Sequence, residues 1–298
     1  LEDVRMNIFK ADAIRSFAYI LLAAGLLMAF SYTKKIKKEY FVIGLIALVI
    51  LDMWTIDKRY LNNEMFVSKR VLKKNTFAKT AADEMILKDG DPNYRVLSFL
   101  HSPFNDGYTP YYHKSIGGYH GAKLRRYQEV IENHLGRELQ TVVYAYQNDT
   151  TNSIANVLSR MNVLNMMNTK YIIYAANEYE MNWNALGHAW FVDDYELVNN
   201  ADEELAQLNK FNPKKTAIID KRFKSVIEKL PEPEFFSLDT GYIELTDYKP
   251  NHLTYKSATK RERLAVFSEI YYDKGWNAYI DGFKTEHIRV NYILRVMR

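Results

Sequence analysis

The chain has 298 residues and a formal net charge of +4. Four lysines of that excess fall in one short run, so no electrostatic footprint for nucleic acid is left. Cysteine is absent, which excludes disulfides, thiolate catalysis and cysteine-ligated zinc. Mean hydropathy is −0.33 although the first segment is very apolar, so the remainder is polar and faces water. The 23 tyrosines suit either β-rich cores or carbohydrate contact.

In chain order, residues 1–15 mix Asp3, Arg5, Lys10, Asp12 and Arg15 with apolar residues, as an interfacial lead-in from an earlier membrane segment would. Residues 16–32 (SFAYILLAAGLLMAFSY) and 40–51 (YFVIGLIALVIL) carry no charge. Each run is at or just under the roughly 17–25 residues that cross a bilayer. They predict a transmembrane helical hairpin over 1–57, with helices at about 14–32 and 40–56. The link holds Lys34, Lys35, Lys37 and Lys38, and short lysine-rich loops stay in the cytoplasm. Residues 58–298 are therefore expected outside it. Tyr19, Tyr32, Tyr40 and Trp54 stand near the run ends as interfacial aromatics do. The competing picture is a pair of core helices in a soluble protein. Asp52, one turn from the outer interface, is either functional or simply reaches water.

Residues 58–233 alternate helix and strand signals and predict a mixed α/β (α+β) extracytoplasmic domain. Thr76 caps a helix over 76–88, and a strand follows at 94–100. A loop rich in Gly, Tyr and His occupies 101–121, before a helix over 122–135. Ser153 caps a further helix whose apolar residues are Ile154, Val157, Met161 and Leu164. Strands are expected at 170–174, 190–198 and 216–220, with a short helix at 202–208. Pro231-Glu232-Pro233 signals a linker. Beyond it, strands at 242–248, 252–257, 264–271, 276–280, 283–288 and 292–297 predict an antiparallel β-sandwich-like domain over 234–298. Asp281-Gly282 marks a tight hairpin. The chain starts at Leu1 and stops at Arg298 inside an alternating strand, so it is expected to be a piece of a longer protein and the sandwich truncated, with an exposed edge.

Four stretches carry a resemblance: LDMWTIDKRYLN (51–62), KSIGGYHGAKLRRYQ (114–128), VLNMMNTKYII (163–173) and FSEIYYDKGWNAYIDGF (267–283). In this order they resemble the bacterial YfhO membrane-protein family, apart from Lys274 where the family often has Pro. The resemblance implies the C-terminal portion of a multi-pass protein of the bacterial plasma (inner) membrane. It implies a glycosyltransferase type that takes sugar from a polyprenyl-phosphate carrier and passes it to an envelope glycan acceptor. The catalytic acid of such enzymes sits in an earlier exterior loop, so no catalytic residue is assigned here. No cofactor is implied.

No GxSxG, HExxH or Walker pattern is present. Asp193-Asp194 and Glu203-Glu204 are expected to be solvated surface, and the histidines show no metal-ligand spacing. The segment from His113 to Arg126 stands apart. His113, Lys114 and His120 lie among Gly117, Gly118 and Gly121, and Lys123, Arg125 and Arg126 crowd a helix start. Cations there oppose the helix dipole, so they suit an anion, and the carrier phosphate implied by the resemblance fits. Alternatively Arg125 pairs with Glu129 and Lys123 is merely solvated. Trp276 is expected in the sandwich core.

Overall fold

The structure is a computed structural model that describes residues 2–33, 35–148, 154–227 and 241–298. Compact packing divides it into Leu1–Ala78 and Lys79–Arg298.

In the first unit, α1 (Glu2–Thr33) and α2 (Lys38–Tyr60) are each long and apolar enough to cross a membrane, and no residue of their apolar windows is buried. The lead-in at 2–15 simply continues α1, because no Gly or Pro interrupts it. The helices pack side by side. A Cβ on Gly44 would meet Leu26 at 2.9 Å, and Phe30 stacks on Phe41 at 4.5 Å. Polar contacts gather at the end away from the loop. Arg59 lies 2.7 Å from Asp12, and Arg15 lies 3.3 Å from Asp52. At 1.5 Å per residue, Asp52 is about 21 Å and Arg59 about 31 Å along α2 from Lys38. The stretch from the lysine loop up to the Arg15–Asp52 pair is thus about 21 Å, and the Arg59–Asp12 pair stands about one hydrocarbon thickness, roughly 30 Å, from that loop. Asp52 has an ion-pair partner, so its charge is met within the hairpin.

After α3 (Lys69–Thr76), the second unit opens with α4 (Ala81–Ile86). The helix expected from Thr76 starts instead after Thr80. Thr80 Oγ1 accepts from Asp83 N, and the Asp83 carboxylate accepts from Thr80 N. This reciprocal box fixes the start more strongly than a lone threonine. Then follow β1 (Arg95–Ser98) and α5 (Tyr108–Tyr112), the latter inside the expected loop. The helix expected at 122–135 begins later and runs on. α6 (Arg125–Val130) passes through a π turn (Ile131–Leu135) into α7 (Gly136–Asn148), with Gly136 in ordinary right-handed conformation. Ser153 lies outside the described residues. The single helix expected there is two, α8 (Ile154–Leu158) and α9 (Asn162–Met166).

β2 (Thr169–Ala175) pairs parallel with β1 and antiparallel with β3 (Glu178–Met181). The strand expected at 190–198 breaks at Asp193 into β4 (Ala189–Val192) and β5 (Asp194–Val198), which join different sheets. α10 (Ala201–Gln207) leads to β6 (Thr216–Asp220), which pairs parallel with β5, and α11 (Lys224–Ile227) follows. β7 (Tyr242–Lys249) and β8 (His252–Ala258) form one hairpin, and β10 (Ala278–Ile280) and β11 (Phe283–Thr285) another. β9 (Leu264–Phe267), β12 (His287–Val290) and β13 (Leu294–Met297) complete the strands.

The C-terminal strands do not stand apart as the expected sandwich. Their main sheet has the order β12-β13-β9-β4, and β4 comes from before the expected 233/234 boundary. All four residues of β9 are buried, so both its faces are covered, and its two edges pair with β13 and β4. β13, expected as an exposed edge, lies inside this sheet. Pro231-Glu232-Pro233 lies outside the described residues. One core joins both halves: Leu97, Leu135, Leu164 and Ile172 pack in the same cluster as Trp190, Val266 and Leu294. Trp276 is only half-buried, with the Arg295 guanidinium 4.6 Å from its ring centre.

Candidate functional site

The loop after β1 folds back on the sheet, and this decides where its side chains go. His113 is buried, with Nε2 2.9 Å from Asp83 Oδ1. Tyr108 donates to the same carboxylate at 3.3 Å. Burial opposes ionisation of Asp83, but the hydrogen bonds from His113 and Thr80 outweigh it and hold the carboxyl down at about 2. Gly117 and Gly118 face protein. Gly118 N donates to Pro103 O at 2.7 Å, and a Cβ on Gly117 would lie 1.8 Å from that oxygen. Around Gly121 the space is open.

The cations of the segment separate. Arg125 is exposed and pairs with Glu129 at 2.9 Å. Arg126 turns inward, its guanidinium 4.6 Å from the Tyr292 ring centre. Tyr292 in turn donates to Glu129 at 2.5 Å. Lys123 lies 5.6 Å from the Phe104 ring centre. His120 is exposed, its Nδ1 accepting from Ala122 N at 3.0 Å. Leu124 provides no side-chain cap for α6. His120 and the open face at Gly121 thus lie at the surface and Lys123 is half-buried near Phe104, while His113, Lys114, Arg125 and Arg126 make contacts elsewhere in the protein.

Lys114 enters a larger polar belt. Its Nζ donates to Pro92 O at 2.7 Å and Asn93 Oδ1 at 3.0 Å, and sits 3.0 Å from the Tyr248 ring centre. Burial pushes this ammonium down to about 8, partly offset by the Glu269 carboxylate. Asn93 donates to Glu269 at 2.9 Å, and Arg95 lies 3.9 Å from the same carboxylate. On the other side, Asp91 Oδ1 accepts from Asn93 N at 3.0 Å and lies 2.7 Å from His188 Nε2. Lys170 bridges Asp89 at 2.6 Å and Asp91 at 3.0 Å. Burial opposes the Asp91 charge, but hydrogen bonds from His188, Asn93 and Lys170 hold its carboxyl well below the usual range. The Tyr94 ring lies 5.4 Å from Lys170 Nζ. The belt therefore offers carboxylates, amides, cations and aromatic faces on one partly exposed surface.

Asp89, Asp91 and Asn93 fall between the helix expected over 76–88 and the strand expected at 94–100 and carry no local sign of a site. His188 and Glu269 carry no local signal, because strand pairing alone brings them here.

A second polar cluster lies deep. Glu204, expected at the surface, is fully buried, 2.9 Å from Arg289. Its other oxygen accepts from Tyr292 N at 2.9 Å. Asp220 lies 3.8 Å from Arg289 and 2.7 Å from Arg222. The Asp193-Asp194 pair is exposed as expected, while Glu203 is half-buried and accepts from Asn199 N. A groove of about 290 Å³ is lined by His134, Arg137, Asp202 and Lys210 among others. Among the described residues, no three His, Asp or Glu side chains group as metal ligands.

Comparison of the chain with protein-family models, curated proteins and solved structures finds no match.

Proposed function

We propose that this chain is the membrane-anchored C-terminal part of a YfhO-type, glycosyltransferase-like protein of a bacterial plasma membrane. The hairpin sits in the bilayer with its lysine loop in the cytoplasm, and the folded unit works outside. There it takes part in passing sugar from a polyprenyl-phosphate carrier to an envelope glycan. The hairpin carries the anchored part of this proposal. Its two apolar helices bury none of their apolar windows, and the Arg59–Asp12 pair stands about one hydrocarbon thickness from the lysine loop. The glycan part rests on the resemblance of the four stretches. It agrees with the belt around Lys114, whose carboxylates, amides and ring faces suit sugar hydroxyls and sugar faces.

Within this proposal His120 and Lys123, beside the open face at Gly121, meet the carrier phosphate. A second reading, a non-catalytic module that binds envelope glycan or a partner protein, is favoured by the engagement of His113, Lys114, Arg125 and Arg126 in protein contacts. Sugar transfer from a radiolabelled polyprenyl-phosphate sugar, measured in membranes carrying the full-length protein, separates the two. Charge-assisted contacts contribute roughly 1.5–3 kcal/mol each, so a His120→Ala/Lys123→Ala variant should lose transfer by on the order of a hundredfold or more. Unchanged transfer in a folded double variant would remove the phosphate role. Absence of transfer by the native protein would favour the module.

A further inference from the structure

The β10–β11 hairpin is exposed in a way the folded unit does not explain. Among the described strands, β10 and β11 pair only with each other. A lone two-stranded hairpin is marginal in water. Its tip nevertheless presents apolar side chains. Ile280 and Phe283 face each other across Asp281-Gly282 and are 42% and 78% exposed. On the opposite face Tyr279, paired with Lys284, is 59% exposed.

The geometry points to shallow insertion of this tip into the lipid surface, as a second membrane contact besides the α1–α2 anchor. It rests on the anchored placement proposed above. Three considerations select lipid as the occupant. First, the tip is small. A stable protein interface takes about 800 Å² from each partner, far more than three side chains offer. Second, the residue types fit the headgroup boundary, where tyrosine and lysine sit at the interface and aliphatic and phenyl groups go deeper. Third, lipid is always within reach. The connector from Tyr60 to Lys79 spans about 45 Å even with α3 helical. A domain of about 220 residues has a radius of gyration of only about 17 Å. The charges near the tip do not favour anionic lipid: Lys274 and Lys284 stand against Asp273, Asp281 and Glu286, one negative charge in excess. Apolar burial rather than attraction to anionic lipid therefore drives the contact, and salt should leave it intact.

The absence of cysteine allows a direct test on the whole chain. A Lys284→Cys variant is labelled with an environment-sensitive fluorophore and reconstituted into vesicles of phosphatidylethanolamine and phosphatidylglycerol containing a nitroxide-labelled lipid, the nitroxide shallow for position 284 and near the bilayer centre for position 22. Leu22→Cys reports the anchor, and Trp183→Cys reports an exposed site outside the hairpin. The expected result is a blue shift and quenching at positions 22 and 284, neither at 183, and loss of the 284 signal when Phe283→Ser is added. A quenched position 22 with an unquenched position 284 overturns the inference and leaves the anchor standing. A blue shift at 284 without lipid quenching means a protein covers the tip, and also overturns it. Quenching at both 183 and 284, or quenching at 284 that survives Phe283→Ser, refutes a contact made by this tip. An unquenched position 22 removes the anchor and this inference with it.

Discussion

Glu138 should give the folded unit an acid-favoured stability. It projects from α7 to the start of α9, where Met161 provides no side-chain cap. Its two carboxylate oxygens accept from Val163 N and Leu164 N, each at 2.9 Å, and so replace the missing cap. Burial nevertheless dominates and raises the carboxyl from 4.5 to about 7, against the pull of those two N–H groups. Because the folded value lies above the unfolded one, the folded state keeps a proton between these limits that the unfolded chain has lost. Stability is then greatest below about pH 4.5, falls as pH rises, and levels off above about pH 7. At 1.36 kcal/mol per unit, the full effect is at most about 3 kcal/mol. Glu138→Gln removes the titration and leaves one N–H short of an acceptor, at a cost of about 1–3 kcal/mol at low pH. Urea unfolding, followed through the buried Trp190 indole at about pH 5 and about pH 8, measures both quantities. The native protein minus the variant should show the slope, since the other titrating groups cancel. An identical slope in Glu138→Gln would refute the assignment.

Two further outcomes follow from the packing. Arg289→Met leaves Glu204 buried without its partner and should cost about 3–5 kcal/mol, while Arg289→Met with Glu204→Leu should recover much of it; thermal melting of the three proteins checks this, and no recovery would place the loss in packing instead. Gly117→Ala drives a methyl into Pro103 O, so the loop must move, at about 1–3 kcal/mol; a variant that melts with the native protein would contradict the close approach.

What the sequence made legible was local. The two helices follow from uncharged runs and a lysine loop within one segment. Asp281-Gly282 forms the expected tight turn, with φ of 51° and 83°, because both positions need the left-handed region that this pair tolerates. The strand at 216–220 is found as expected, since its run of apolar residues is continuous and short. The rest depended on partners far along the chain. Nothing near Leu264 announces that Ala189–Val192 will lie beside it, so the C-terminal strands looked like a separate domain. Glu204 looked like surface because its partner, Arg289, sits on a distant strand. The cations from Lys114 to Arg126 were read as one group from their spacing. Backbone direction then sends Lys114 toward Asn93, Arg126 toward Tyr292, and leaves Lys123 near Phe104. Thr76 was the expected cap, but the reciprocal bond with Asp83 moves the helix start to Thr80.

The membrane placement of the hairpin is the claim on which the rest depends. Single cysteines at Thr33 and Ser102, both exposed, test it against a background without cysteine. In intact cells a membrane-impermeant thiol reagent should label Ser102→Cys, and should label Thr33→Cys only after the cells are opened. Labelling of Thr33→Cys in intact cells, with Ser102→Cys protected, would invert the topology. Equal labelling of both before opening would contradict a hairpin that spans the bilayer.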